Sequence, residues 1–171
     1  MTVVPHTVNR LVVEVAGSFD EFRGRFEEAV PQIDPSAIPD FVGRRAPWDE
    51  VVAAAAEAAP HGFLIFWRLD TTPVMSLAGH TTRCTAYLMG NHTIAEQMYR
   101  HDPAVMLYVP LRTVIYAGPG DRAFFAADQP STEVATFGLA PVTQVGTDLN
   151  RKLTNLLRTL DVPAGELDGP A

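Results

Sequence analysis

Residues 87–130 read YLMGNHTIAEQMYRHDPAVMLYVPLRTVIYAGPGDRAFFAADQP, and the order of local signals in this stretch decides the fold. A strand ends at Met89, and Gly90-Asn91-His92 turns the chain. Thr93-Ile94-Ala95-Glu96 has the form of a capping box, in which a hydroxyl and a carboxylate satisfy amides at a helix start. Ile94, Met98 and His101 then share one helical face, and Asp102-Pro103 restarts the chain as a cap followed by proline. Leu111 to Tyr116 and Arg122 to Ala127 are strands joined through Gly118-Pro119-Gly120-Asp121, a hairpin.

Working outward, residues 80–89 extend the first of these strands upstream. A period of two sets His80, Thr82, Cys84, Ala86 and Leu88 on one face and Thr81, Arg83, Thr85, Tyr87 and Met89 on the other. Phe63 to Leu69 (FLIFWRL) is an almost unbroken apolar run and predicts a buried strand. Val74 to Ala78 is a loop or a short strand. Nearer the N-terminus, Thr7 to Val15 predicts a strand, and Ser18 with Glu21 forms a capping box. Phe19, Phe22, Phe26 and Val30 follow at helical spacing, up to Pro31.

Residues 31–47 carry Pro31, Pro35, Pro39 and Pro47 among apolar side chains, and are either packed against the body or a lid. Trp48 to Ala59 is an alanine-rich amphipathic helix with Pro47 at its first position. Downstream, Ser131 to Phe137 predicts a short helix closed by Gly138. Thr147 to Leu160 predicts a longer one with Leu149, Leu153, Leu156, Leu157 and Leu160 on one stripe. Residues 162–171 read as a flexible tail. Strands and helices interleave without regular alternation, which predicts one α+β domain over residues 1–171: a largely antiparallel sheet with helices on one face.

Composition narrows the function. A net charge of −7 with a single lysine, Lys152, argues against nucleic acid, whose phosphates need clustered cations. The single cysteine, Cys84, excludes an internal disulfide and fits a reducing compartment. No apolar run approaches a membrane span, and the N-terminus lacks the pattern of a signal peptide; the expected location is the cytoplasm.

Met89-Gly90-Asn91, Met98, Asp102-Pro103, Val109-Pro110-Leu111-Arg112, Asp128 and Pro130 together resemble the family catalogued as domain of unknown function 302, mainly over residues 86–131. The resemblance implies a TATA-binding-protein-like fold with a curved sheet, commonly paired as a homodimer, and no settled activity. This chain departs from the family's pattern in two places. His92 stands where the turn has proline, and Gln129 separates the aspartate from its proline. The 31–60 segment also looks longer than the family's usual connection.

Several residues are candidates for a site. Backbone amides at the Gly90–Thr93 turn either cap the helix or receive a carboxylate or phosphate. His92 titrates near neutral pH and suits an acid–base role; otherwise it is a turn residue. His101, on the face of Ile94 and Met98, is a core histidine with satisfied nitrogens or a ligand-binding group. His80 and Cys84, with His92, match no established zinc spacing, and no metal is expected. Haem would require His92 or His101 as axial ligand, and nothing else in the sequence supports it. Met75, Met89, Met98, Met106, Trp67, Tyr87 and Tyr99 are a soft, aromatic set suited to a core or to an adaptable pocket.

The favoured reading is a domain that binds an apolar small molecule, with or without a carboxylate, in a cup between the sheet and the 31–60 insertion. Asn91, His92 and Arg112 serve as polar anchors, and Met89, Met98, Trp67 and His101 as further contacts. The alternatives are a cofactor-independent cyclase or isomerase, with His92 as acid or base and Tyr87 orienting a carbonyl, and a dimeric interaction module.

Overall fold

A computed structural model of the chain describes residues 1–163 and 165. Five strands form one open antiparallel sheet: β1 (Arg10–Ser18), β2 (Leu64–Asp70), β3 (Cys84–Gly90), β4 (Leu111–Ala117) and β5 (Arg122–Asp128), in the order β1-β5-β4-β3-β2. The helices are α1 (Phe19–Ala29), α2 (Ala37–Gly43), α3 (Trp48–Ala58), α4 (Thr72–Ser76), α5 (His92–Tyr99), α6 (Pro130–Val134) and α7 (Ala140–Thr159). The architecture is α+β, as the sequence predicts. Among the described residues no helix is long and apolar enough to cross a membrane.

Strand alternation separates the two faces of the sheet. Val15, Thr85, Tyr87, Met89, Leu111, Ile115, Ala123 and Phe125 are buried on the face that carries the helices. Helix α1 lies there because Ser18 and Glu21 close the predicted capping box, with the Ser18 amide donating to Glu21 Oε2 at 2.8 Å. That start aims Phe19, Phe22 and Phe26 inward, where the Phe26 ring lies 5.1 Å from Tyr87 and 5.9 Å from Phe125. The opposite face carries Val12, Leu88, Val114, Tyr116 and Phe124 with no helix over it, and Tyr116 stacks on Phe124 at 5.3 Å.

Several boundaries differ from expectation. β1 starts at Arg10 rather than Thr7, and α3 starts at Trp48, with Pro47 one residue ahead of it as N-cap. β3 begins at Cys84, because Asp70↔Thr85 is the last pair its neighbour β2 offers; residues 80–83 are not strand. Residues 72–76 are helical, not extended. β2 is an edge strand rather than a buried one: only Phe63, Leu64 and Ile65 are buried, while Trp67 and Leu69 lie on the uncovered face. A bulge between Ile65 and Trp67 makes Phe66 the extra residue and shifts the phase of the strand. The proline-rich segment contains helix α2, because Pro39 falls in its first turn, where proline is tolerated.

The last helix starts two turns earlier than predicted, and Gly146 lies within it. A Cβ there would stand 2.5 Å from Val134 Cγ2 and 3.0 Å from Ser131 Cα, so glycine permits the close approach of α6 to α7. Val162, the first residue of the predicted tail, is packed in the core. The rest of that tail, apart from Pro163 and Gly165, lies outside the described residues.

The hairpin pairs as predicted, Thr113↔Ala127 through Ala117↔Ala123, with Pro119 and Gly120 exposed at its tip. Phe125 is fully buried against α1, whereas Phe124 is half-buried on the open face. Phe125→Ala is expected to cost about 3–5 kcal/mol and Phe124→Ala about 1 kcal/mol in urea unfolding. Equal losses would contradict this assignment of faces.

Candidate functional site

The site is built around the junction where β3 becomes α5. Asn91 caps the helix from an extended conformation (φ −146°, ψ 119°), so α5 begins at His92, two residues before Ile94, where the predicted capping box would start it. Its Oδ1 accepts from the Thr93 amide at 2.9 Å and the Thr93 hydroxyl at 2.7 Å. Its carbonyl accepts from the amides of Ile94 and Ala95. The Thr93–Glu96 capping box is therefore not formed, and Glu96 pairs with Arg100 instead. Three first-turn amides are already bonded within the chain, and the turn does not offer them to an anion.

Below this junction lies a cavity of about 260 Å³. One wall is α5, through His92, Ile94, Ala95 and Met98. A second is the strand entry Val109-Pro110-Leu111, and the Val109–Pro110 peptide is cis. Leu149 of α7 and Phe66, the residue the bulge inserts, complete the interior, and Ile38 of α2 and the half-exposed Met106 stand at its edge. Gly90, Asn91, Met98 and Val109-Pro110-Leu111, which carried the family resemblance, thus converge on one partly open cavity. Asp102 holds the neighbouring turn: its Oδ1 accepts the Ala104 amide at 2.8 Å and starts the 3-10 helix Pro103–Leu107 that presents Met106.

Among the described residues His92 is the only ionisable side chain on this cavity's wall. Both of its ring nitrogens are shut off from solvent, and among the described residues neither has a hydrogen-bond partner. Phe66 meets the imidazole edge-on with ring centroids 6.3 Å apart. Burial disfavours the charged imidazolium and pulls the His92 pKa below its ordinary value of 6.5, so the ring is neutral at pH 7.

The remaining predicted residues divide between places. Asn91, His92 and Met98 line the cavity, whereas Met89 is fully buried in the sheet core without reaching it. Tyr87 is buried beneath α1 and donates its hydroxyl to Glu27 Oε1 at 2.8 Å. Burial, reinforced by that carboxylate, pushes its phenol well above the usual range. With its hydroxyl committed to Glu27 and no part in the cavity wall, Tyr87 is not placed to orient a carbonyl there. Trp67 lies on the open sheet face opposite Leu88. Arg112 lies on that face too and donates to Glu133 Oε1 at 3.1 Å, with Asp128 Oδ2 at 3.9 Å. Glu133 is buried, which raises its carboxyl pKa despite Arg112. His101 falls after the α5 C-cap Arg100 and is exposed, not on the apolar face. His80 is exposed in the loop before β3, and Cys84 is half-buried at the start of that strand. Among the described residues no group of three or more His, Cys, Asp or Glu is placed to hold a metal ion.

Two residues that the sequence did not flag belong to the site. Phe66 arrives through a bulge, for which the apolar run FLIFWRL gives no local signal. Ile38 arrives on α2, hidden among prolines that read as breakers.

No curated protein matches the chain. Among solved structures it resembles an uncharacterized conserved DUF302 protein from Bacillus stearothermophilus, with a TM-score of 0.63 at 16% identity, over 87% of this chain and 95% of that one. That likeness concerns the fold. A sequence model of the DUF302 domain of unknown function matches residues 42–160, from the end of α2 through α7, and takes in all of the cavity wall except Ile38. The chain belongs to the DUF302 family.

Proposed function

We propose that this protein binds an apolar small molecule in the cavity beneath the β3–α5 junction, with His92 as its polar anchor. The observation that carries the reading is the pair of unpartnered, solvent-shielded nitrogens of His92 in an otherwise apolar wall. Burying a polar group without a partner costs about 1–3 kcal/mol, and each such group calls for a physical account, of which a bound ligand is one. A neutral imidazole has one donor and one acceptor nitrogen, and a ligand hydroxyl, carbonyl or carboxyl can pair with them. Polar anchors placed in an apolar pocket are the usual pattern of small-molecule sites.

An isomerase or cyclase reading rests on the same side chain, since a neutral imidazole is the form that accepts a proton. With no second ionisable group on the wall, one imidazole would have to carry the proton both ways. A homodimer is supported by a separate observation, the uncovered sheet face with exposed Val12, Trp67 and Leu69.

His92 occupies the first position of α5, where proline is favoured, and Asn91 already has the extended angles that a following proline demands. His92→Pro is therefore expected to leave the fold intact or steadier by about 0.4–1 kcal/mol, while abolishing binding of apolar hydroxyl or carbonyl compounds in a titration. Undiminished binding would remove His92 from the site. The pH dependence has a definite sign. As pH falls below 6.5 the unfolded chain protonates His92 before the folded chain does, so wild type loses stability. The melting temperature of His92→Pro should fall less over the same interval, and parallel curves would contradict the buried neutral imidazole. For assembly, sedimentation equilibrium at micromolar concentration is expected to return twice the 18.6 kDa chain mass, and Val114→Glu on the open face to return one. A monomeric wild type would reject the dimer.

A further inference from the structure

Arg44 and Arg45 end helix α2, and their surroundings differ. Arg44 is held by Asp40 and Glu50, at 2.8 Å and 2.5 Å. Among the described residues Arg45 has no ion pair or side-chain hydrogen bond. Its backbone is left-handed, with φ at 54°. The Arg45 amide donates to the Val42 carbonyl and the Ala46 amide to the Phe41 carbonyl, the double bond pattern of a helix end that glycine usually completes. A long cation therefore stands where the backbone favours glycine.

The Arg45 side chain borders a groove of about 410 Å³ between α2 and α3, whose other walls are Phe41, Val42, Trp48 and Val51. This groove shares two wall residues, Ile38 and His92, with the cavity. No residue of α2 is buried, so the helix covers both spaces without being locked into the core. An apolar interior, a neutral imidazole at the shared wall and the exposed Arg45 at the edge of the adjoining groove follow one another.

Resting on the binding function proposed above, we infer that the ligand is an elongated amphiphile bearing a carboxylate, and that Arg45 recognises that carboxylate. The alkyl body fills the cavity past His92, and the head group reaches the guanidinium, whose planar fork matches the two carboxylate oxygens. An unpaired cation at the edge of an apolar groove attracts an anion locally, against the repulsion of a chain whose net charge is −7.

The test compares octanoate, decanoate and dodecanoate with the matching alcohols on wild type and Arg45→Gly. Trp48 lies in the groove and Trp67 on the open sheet face, and these are the two tryptophans of the chain. In a Trp67→Phe background, fluorescence therefore reports head-group occupancy. Arg45→Gly is expected to melt no lower than its parent, because glycine suits the left-handed position. It should weaken the carboxylates about 3- to 10-fold, as for a partly solvated charge pair, and the alcohols less than about twofold. Carboxylate affinity that survives Arg45→Gly would overturn the assignment, and so would an equal loss for acids and alcohols, which would mean a disturbed cover. If neither series binds wild type, the cavity reading falls with it.

Discussion

Phe26 wedged between Tyr87 and Phe125 is the contact on which the arrangement of layers depends. A five-stranded antiparallel sheet needs one face covered, and α1 is the first helix the chain makes after its first strand. The Ser18–Glu21 cap sets where that helix begins, which sets the direction in which Phe19, Phe22 and Phe26 point. The same helix carries Glu27, which takes the Tyr87 hydroxyl and pairs with Arg68 at 2.9 Å, and so ties α1 to both β3 and the edge strand β2. With α1 fixed over the centre of the sheet, α5 and α7 are left to cover the end where β3 leaves and β4 enters. Leu153 and Leu156 of α7 are fully buried, but Leu149, one turn earlier, meets a space that the surrounding side chains do not fill. The cavity is thus where two covering layers meet imperfectly, around a junction that must turn sharply.

What the sequence made legible was local. The α1 cap, the β4–β5 hairpin and the strand-to-helix turn at Gly90 each depend on a few adjacent residues, so their chemistry could be read directly. Features governed by phase or by distant partners could not. His101 appeared to continue the face of Ile94 and Met98, but the helical period stops at Arg100 because Asp102 starts a new turn. Trp67 looked like a core residue until the extra residue at Phe66 reset the alternation, and a one-residue slip moves every later side chain to the other face. Arg112 pairs across the sheet with Leu88 on the open face, away from the turn it follows so closely in the motif. Arg45 carried no signal, because residues 31–47 read as an irregular segment and the helix that ends beside it, α2, was not predicted.

The feature that makes His92 unfavourable for folding is the one that recommends it for the proposed binding. Its nitrogens lose water and gain no protein partner, a cost that a hydrophobic side chain of similar size would avoid. Proline, which the resemblance places at this turn, would also spare that cost and stiffen the first helical position. The chain instead holds a neutral donor–acceptor pair against the edge of Phe66, a side chain present only because β2 is bulged. Two local irregularities, a histidine in an apolar wall and an inserted residue in an edge strand, therefore meet in one place. Such coincidences are expected where local rules yield to function.

The two unpartnered apolar regions are also physically different, which bears on how they can be used. The open sheet face is broad: Arg122 pairs with Glu14 at 2.8 Å and Arg112 with Glu133, Arg10 stands beside Val12, and Tyr116 lies flat on Phe124. The groove between Arg10, Val12, Arg112 and Asp128 is more open than the cavity, and such a surface suits another protein face more than a small molecule. The cavity offers enclosure and one unsatisfied polar group but little area. They lie on opposite sides of the sheet, so a second copy seated on the open face would leave α2, Met106 and the entrance beside them unobstructed. The proposed assembly and the proposed ligand capture would therefore use separate surfaces, linked through strands β3 and β4, which contribute residues to both sides.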